Sequence, residues 1–119
     1  MALKAELRRG DIVTVVVSGD YGRSRPAVII QADPFQALPS VTVLRISSNL
    51  HDAPLIRILL PPDPSNGLRE PSQVMVDKAF SVPRGKLGYR IGRIEPALMR
   101  DVDNAMLIFL GLNQRSCAT

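Results

Sequence analysis

The residues able to do chemistry in this chain are cations and hydroxyls that recur beside apolar runs. Arg23, Ser24 and Arg25 stand together. Arg45, Ser47, Ser48 and Asn49 follow, then Lys78, Phe80, Ser81 and Arg84. Guanidinium groups and hydroxyl donors match phosphodiester oxygens and the negative charge that builds during phosphoryl transfer. Each of these side chains also reads as a solvated loop residue, and residue type alone leaves both readings open. Other catalytic sets are poorly supplied. Nothing in the sequence pairs Asp20 with Asp77 as a two-carboxylate site. His51 is the only histidine and lacks a nucleophile-elbow context, so it reads as a surface residue. With that histidine and the single Cys117, a Cys/His zinc site runs short of ligands and no intrachain disulfide can form. Gly19 and Gly22 read as hairpin glycines, not as a phosphate cradle. No metal and no cofactor is expected.

The elements that must position these groups are short strands. Residues 11–17 are almost all β-branched, which favours extended structure. Their near-continuous hydrophobicity calls for burial on both faces, or on one face and a partner. A turn over 19–25 leads to a second strand over 26–31. Pro26 fixes its own φ and pushes Arg25 toward an extended conformation, so a guanidinium sits at the mouth of a strand on a stiff backbone. A loop with Pro34 and Pro39, containing a helical turn, precedes a third strand over 41–47. A fourth strand is expected over 54–60, a surface loop over 61–67 and a half-buried fifth strand over 73–78. A helical turn over 83–87 and a short basic strand over 89–94 follow.

The last element is the clearest. Pro96 suits a first helical turn, and Leu98, Val102, Ala105, Met106 and Phe109 recur at helical spacing. The helix is expected over 96–110, stopped by Gly111. Residues 1–9 read as a lead-in or a single helical turn, and 113–119 as a polar tail. The pattern is a single domain, mainly β with a C-terminal helix, in which a small curled sheet or barrel buries the helix on an open face. Its exposed edges favour a twofold dimer.

Composition agrees. The chain has 119 residues, 45% of them hydrophobic but with no Trp, so the core is aliphatic. Fifteen Lys and Arg against eleven Asp and Glu, with a pI near 9.8, suit a polyanionic partner. No run of about 18 apolar residues and no signal-peptide core are present, which reads as a cytoplasmic protein with no membrane partner.

Taken in order, six segments resemble one family. Arg9-Gly10-Asp11-Ile12-Val13 opens the first strand, and Ser24-Arg25-Pro26-Ala27-Val28-Ile29-Ile30 the second. Arg45-Ile46-Ser47-Ser48-Asn49 ends the third. Val74-Met75-Val76-Asp77-Lys78 and Lys86-Leu87-Gly88-Tyr89-Arg90-Ile91-Gly92-Arg93-Ile94 follow, and the helix ends in Leu110-Gly111-Leu112. The chain resembles the MazF/PemK toxin endoribonucleases from about Arg9 to Leu112. The resemblance implies a small SH3-like (CcdB/MazF-type) β-barrel acting as a homodimer. It also implies sequence-specific, metal-independent cleavage of single-stranded RNA, held in check by a cognate antitoxin with an acidic, partly disordered segment. The family's catalytic arginine falls on Arg25 and its catalytic Thr/Ser on Ser47. Arg23, Ser24, Arg45, Ser48, Asn49, Lys78, Phe80, Ser81 and Arg84 are the expected RNA contacts.

Cleavage of this kind uses the substrate's 2′-hydroxyl and leaves 2′,3′-cyclic phosphate and 5′-hydroxyl ends. Arginine stays protonated at neutral pH. Arg25 is therefore expected to stabilise charge first and donate a proton to the leaving 5′-oxygen second, and the general base has no assignment. Two departures stand out. The first loop is shorter than the family's, and Phe80 replaces an arginine, either packing in the core or stacking on a base. CcdB-like gyrase inhibitors share the fold but act through a C-terminal Trp-Gly-Ile end. Here Phe109-Leu110-Gly111-Leu112 has no Trp and seven more residues follow. A catalytically silent SH3-like module that binds nucleic acid or a partner is the third reading.

Overall fold

The computed structural model describes residues 7–16 and 23–113. Six strands and one helix follow in chain order: β1 (Asp11–Val16), β2 (Ser24–Ile29), β3 (Ser40–Ser47), β4 (Arg57–Leu60), β5 (Ser72–Pro83), β6 (Leu87–Arg93) and α1 (Pro96–Phe109). The strands form one antiparallel sheet in the order β4-β5-β3-β2-β1-β6. β4 and β6 end the order without pairing to each other, so the barrel-like sheet is not closed by hydrogen bonds.

Both faces of the central strands are buried, as their near-continuous hydrophobicity requires. Ile12, Val28, Leu44, Ile46, Val74 and Val76 face one layer, where Met99, Val102 and Ala105 of α1 pack against them. Val13, Val15, Ala27, Ile29, Val41 and Val43 face the other, together with Leu7, Val82 and Leu87. Val102 is fully enclosed, which stabilises the docked helix by about 2 kcal/mol.

The charged residues at the start of β1 fasten this core. Asp11 is buried, accepts from the Arg8 N–H at 2.8 Å and from Arg93 at 2.7 Å, and is ion-paired to Arg90 at 3.1 Å. Arg9 donates Nε to the Ile30 carbonyl at 2.8 Å and both terminal nitrogens to Asp103 on α1. The described end of the lead-in is part of the packed structure: Leu7 packs in the second layer and Arg9 ties the strands to the helix.

Several boundaries differ from expectation. β4 begins only at Arg57, because residues 54–56 form a turn closed by the Ile56 N–H on the Ala53 carbonyl. β5 continues to Pro83: Val82 belongs to the core, and the ladder to β3 runs on through Ser40↔Pro83. β2 starts two residues early, at Ser24. The turn over 83–87 is a 3-10 turn at Arg84–Lys86, and another stands at Asp33–Phe35. The helix stops at Phe109 before Gly111 at φ 75, yet Phe109 is half exposed; Met99 instead fills the core position, one turn from Val102. Residues 17–22, which include most of the short first loop, and Cys117 lie outside the described residues.

Candidate active site

Arg25 and Ser47 meet because the β2–β3 ladder ends beside them. Its register runs Ile29↔Val43, Val28↔Leu44, Ala27↔Arg45. Extrapolated two steps beyond its last pair, the same register sets Arg25 opposite Ser47, and both border one cleft. The ladder stops at Pro26, which has no N–H to donate. Beyond it the strands line a cleft of about 420 Å³ bordered by Arg25, Pro26, Arg45, Ile46, Ser47, Ser48 and Asn49 on one side. Strand alternation places Arg25, Arg45 and Ser47 on the face that carries Ala27 and Val43. Arg45 sits opposite the irregularity in β5, between Leu44↔Ala79 and Ile46↔Val74, where the extra residues are on β5 and β3 keeps its alternation. The Nε atoms of Arg25 and Arg45 are buried, so both guanidinium stems are enclosed by protein.

Ser47 is oriented locally. Its Oγ accepts from the Asn49 N–H at 3.0 Å, which leaves the hydroxyl proton available for an oxygen in the cleft.

The opposite wall is the loop between β4 and β5, which supplies Leu68, Arg69 and Glu70 together with Ser72 at the head of β5. This loop is fixed by its own side chains. Asp63 Oδ1 accepts from the Ser65 and Asn66 N–H groups and the Ser65 hydroxyl at 2.6–2.9 Å. The Ser65 hydroxyl, foremost, holds the Asp63 carboxyl below the usual range. Buried Asn66 donates to the Pro61 carbonyl and accepts from the Asp63 and Leu68 N–H groups. The Arg93 N–H donates to the Ser65 carbonyl at 2.8 Å, docking the loop on β6. Gly67, at φ 72, lies so close to Ile91 that a Cβ would overlap its carbonyl oxygen. Finally the Ser72 hydroxyl donates to the Glu70 carbonyl at 3.0 Å.

The remaining expected contacts lie elsewhere. Arg23 and Ser24 are exposed at the start of β2 and do not line the cleft. Phe80 and Ser81 lie on the β5 half that pairs with the start of β3, Arg84 in the 3-10 turn after β5, and Lys78 in the β5 irregularity between Val74 and Ala79. Phe80 packs against the second core layer. Ser81 shares a hydrogen bond with Thr42 at 2.9 Å, and Arg84 donates to the Leu38 carbonyl at 3.2 Å. Lys78 lies 3.6 Å from Asp77, which accepts from Arg57. Burial raises the Asp77 carboxyl, but the Arg57 hydrogen bond and charge outweigh it and hold the group below its ordinary value. His51 is exposed, its backbone N–H and carbonyl both bonded to the Gln73 side chain. Among the described residues no cluster of His, Cys, Asp and Glu is arranged to hold a metal, and no helix is long and apolar enough to cross a membrane.

Arg69, Glu70 and Ser72 were not anticipated from the sequence. The only signal near them is the Asn66-Gly67 pair, which marks a turn but not the surface that the turn closes onto.

A probable endoribonuclease MazF of Mycolicibacterium smegmatis is 46% identical over 107 residues, spanning 89% of this chain and 98% of that protein. An endoribonuclease from Mycobacterial species, solved in complex with its cognate antitoxin, superposes with a TM-score of 0.73 at 21% identity, covering 89% and 96% of the two chains. A MazE–MazF structure from Deinococcus radiodurans gives 0.72 at 17% identity, covering 88% and 95%. These two share the fold. A family model described as PemK-like, MazF-like toxin of type II toxin-antitoxin system matches residues 8–110, and the chain belongs to that family.

Proposed function

We propose that this protein is the endoribonuclease toxin of a toxin–antitoxin pair and cleaves single-stranded RNA in the cleft between β2, β3 and the β4–β5 loop. The observation that carries this reading is the meeting of Arg25 and Ser47 at the end of one ladder. Arg25 clamps the scissile phosphate and stabilises the charge of the transition state, and Ser47 donates to a phosphoryl oxygen. The substrate's own 2′-hydroxyl attacks, so the ends are 2′,3′-cyclic phosphate and 5′-hydroxyl, and no metal takes part. Arg45, Ser48 and Asn49 hold neighbouring phosphates and bases, which supplies the cleavage-sequence preference. The 46% identical relative named as a probable endoribonuclease favours this over gyrase inhibition or silent binding.

The partners follow the same logic. An acidic, partly disordered antitoxin segment is complementary to a cleft bordered by Arg25, Arg45 and Arg69. A second copy of the chain covers apolar surface at the end of α1, where Leu107, Ile108, Phe109, Leu110 and Leu112 are exposed. The protein acts in the cytoplasm, where its RNA substrate is found.

The test is cleavage of a mixed-sequence single-stranded RNA in EDTA, wild type beside Arg25→Ala, with end-group analysis. Cleavage that survives EDTA, leaves cyclic phosphate and falls about 10²–10³-fold in the variant is expected. A wild type that cleaves no RNA, or an Arg25→Ala protein with the wild-type rate, overturns the assignment.

A further inference from the structure

We propose that Glu70 is the general base of this cleft and takes the proton from the attacking 2′-hydroxyl. The proposal rests on the 2′-hydroxyl chemistry given above and fills a gap in it. An arginine at neutral pH has no basic site to offer, and a serine hydroxyl is no better a base than water. Of the eleven residues that border the cleft, Glu70 alone carries a carboxylate. The other two acids considered for chemistry are placed differently: Asp77 is ion-paired to Arg57 and does not border the cleft, and Asp20 lies outside the described residues.

Glu70 is presented by a wall that is built, not loose. Ser72, itself buried, holds the Glu70 carbonyl. Upstream, the Asp63–Asn66 network and the contact of Gly67 with Ile91 fix where the loop leaves β6. The backbone is anchored while the side chain stays exposed, which is the arrangement a base needs to reach a bound substrate and exchange its proton with water. The other charged groups that border the cleft are Arg25 from β2, Arg45 from β3 and Arg69 beside it in the loop.

The step balances without an added reagent. As the O2′–P bond forms, the 2′-hydroxyl proton passes to the Glu70 carboxylate. The P–O5′ bond breaks, its electron pair goes to O5′, and water in the open cleft protonates that oxygen. Glu70 then gives its proton to the hydroxide so formed. Arg25 and Ser47 hold the non-bridging oxygens throughout.

The experiment compares wild type, Glu70→Gln and Glu70→Asp on one single-stranded RNA. Binding is measured separately on the same sequence with 2′-O-methyl groups, which lacks the nucleophile. Glu70→Gln should lower kcat about 10²–10⁴-fold, keep wild-type binding of the methylated RNA and lose the acid limb of the kcat–pH profile. Glu70→Asp, which keeps a carboxylate, should retain part of the rate and that limb. A Glu70→Gln protein within threefold of wild type, or one that raises KM at unchanged kcat, overturns the proposal. Wild-type products without cyclic phosphate overturn the chemistry beneath it, and that result is read before any variant is made.

Discussion

The arginines at the two ends of β1 and β2 do opposite work, and the difference lies in what faces them. At the Asp11 end, Arg9, Arg90 and Arg93 are each matched to a carboxylate: Arg9 to Asp103, and the other two to buried Asp11. At the other end, Arg25 and Arg45 share a cleft with Arg69, three serines, an asparagine and a single carboxylate. The first set is matched to protein carboxylates and holds strands to helix. The second borders the cleft. Charge alone would rank the two ends alike. Local balance of cation and carboxylate separates architecture from binding.

The comparison is broken most directly by exchanging the effects of its two ends. Arg25→Ala should cost about 3–4 kcal/mol of transition-state stabilisation, read as the fall in cleavage, and leave the melting temperature within a degree or two. If its main effect is on unfolding, the cleft arginine is architectural after all. Gly67→Ala should follow, at about 3 kcal/mol of folding stability, since it adds a left-handed φ penalty to an overlap with the Ile91 carbonyl. Urea unfolding measures the loss. Cleavage by the folded fraction should fall as well, because the displaced wall carries Glu70.

Asp11→Ala should cost about 2 kcal/mol, less than a fully buried ion pair, because Arg90 and Arg93 are half exposed and can turn to water. Calorimetry should show the lower melting temperature, with cleavage per folded molecule unchanged. A specific loss of activity at full stability would move the Asp11 end into the site.

The Asp77–Arg57 pair sharpens the same division by pH. The Asp77 carboxyl titrates below its ordinary value in the folded chain, so the unfolded chain binds the proton first as pH falls. Its contribution is complete above the ordinary carboxylate range and is lost as pH drops through the folded value. Wild type should therefore lose more stability between about pH 6 and about pH 3 than Arg57→Leu, compared by urea unfolding. Equal losses would remove the pair from the set of architectural bridges.

Much of this was legible in the chain. Alternation and β-branching located the strands, Pro96 and Gly111 bracketed the helix, and Pro26 marked where a guanidinium is held stiffly. Arg9-Gly10-Asp11, prominent in the resemblance, is a fastening device: the pattern reports the fold and not the chemistry. The far wall of the cleft was not legible. Residues 68–72 lack periodicity, and their place depends on Asn66 and Gly67 docking against β6, a contact between segments about 25 residues apart. The reach of β5 was hidden for a related reason. Ala79, Phe80 and Ser81 look like a loop until β3 pairs with them.

The smallest effect is expected where the sequence placed binding residues and the structure leads away from the cleft. Lys78 lies midway along β5 beside Asp77, and Arg84 lies in the turn after β5, bonded to the Leu38 carbonyl. Ser47 pairs with Gln73 near the start of that strand, and Ala79, next to Lys78, pairs with Leu44, which lies roughly 10 Å from Ser47 along β3. A short RNA held at Arg25 and Ser47 does not need to reach them. Lys78→Ala and Arg84→Ala should each change cleavage of a short substrate by less than about threefold, the range of a peripheral phosphate contact screened by salt. A longer RNA makes the measurement more demanding. If the loss from Lys78→Ala grows with RNA length and disappears at high salt, the strand tracks along β5 beyond the cleft. If it stays small at every length, the binding surface ends with the wall formed by residues 68–72.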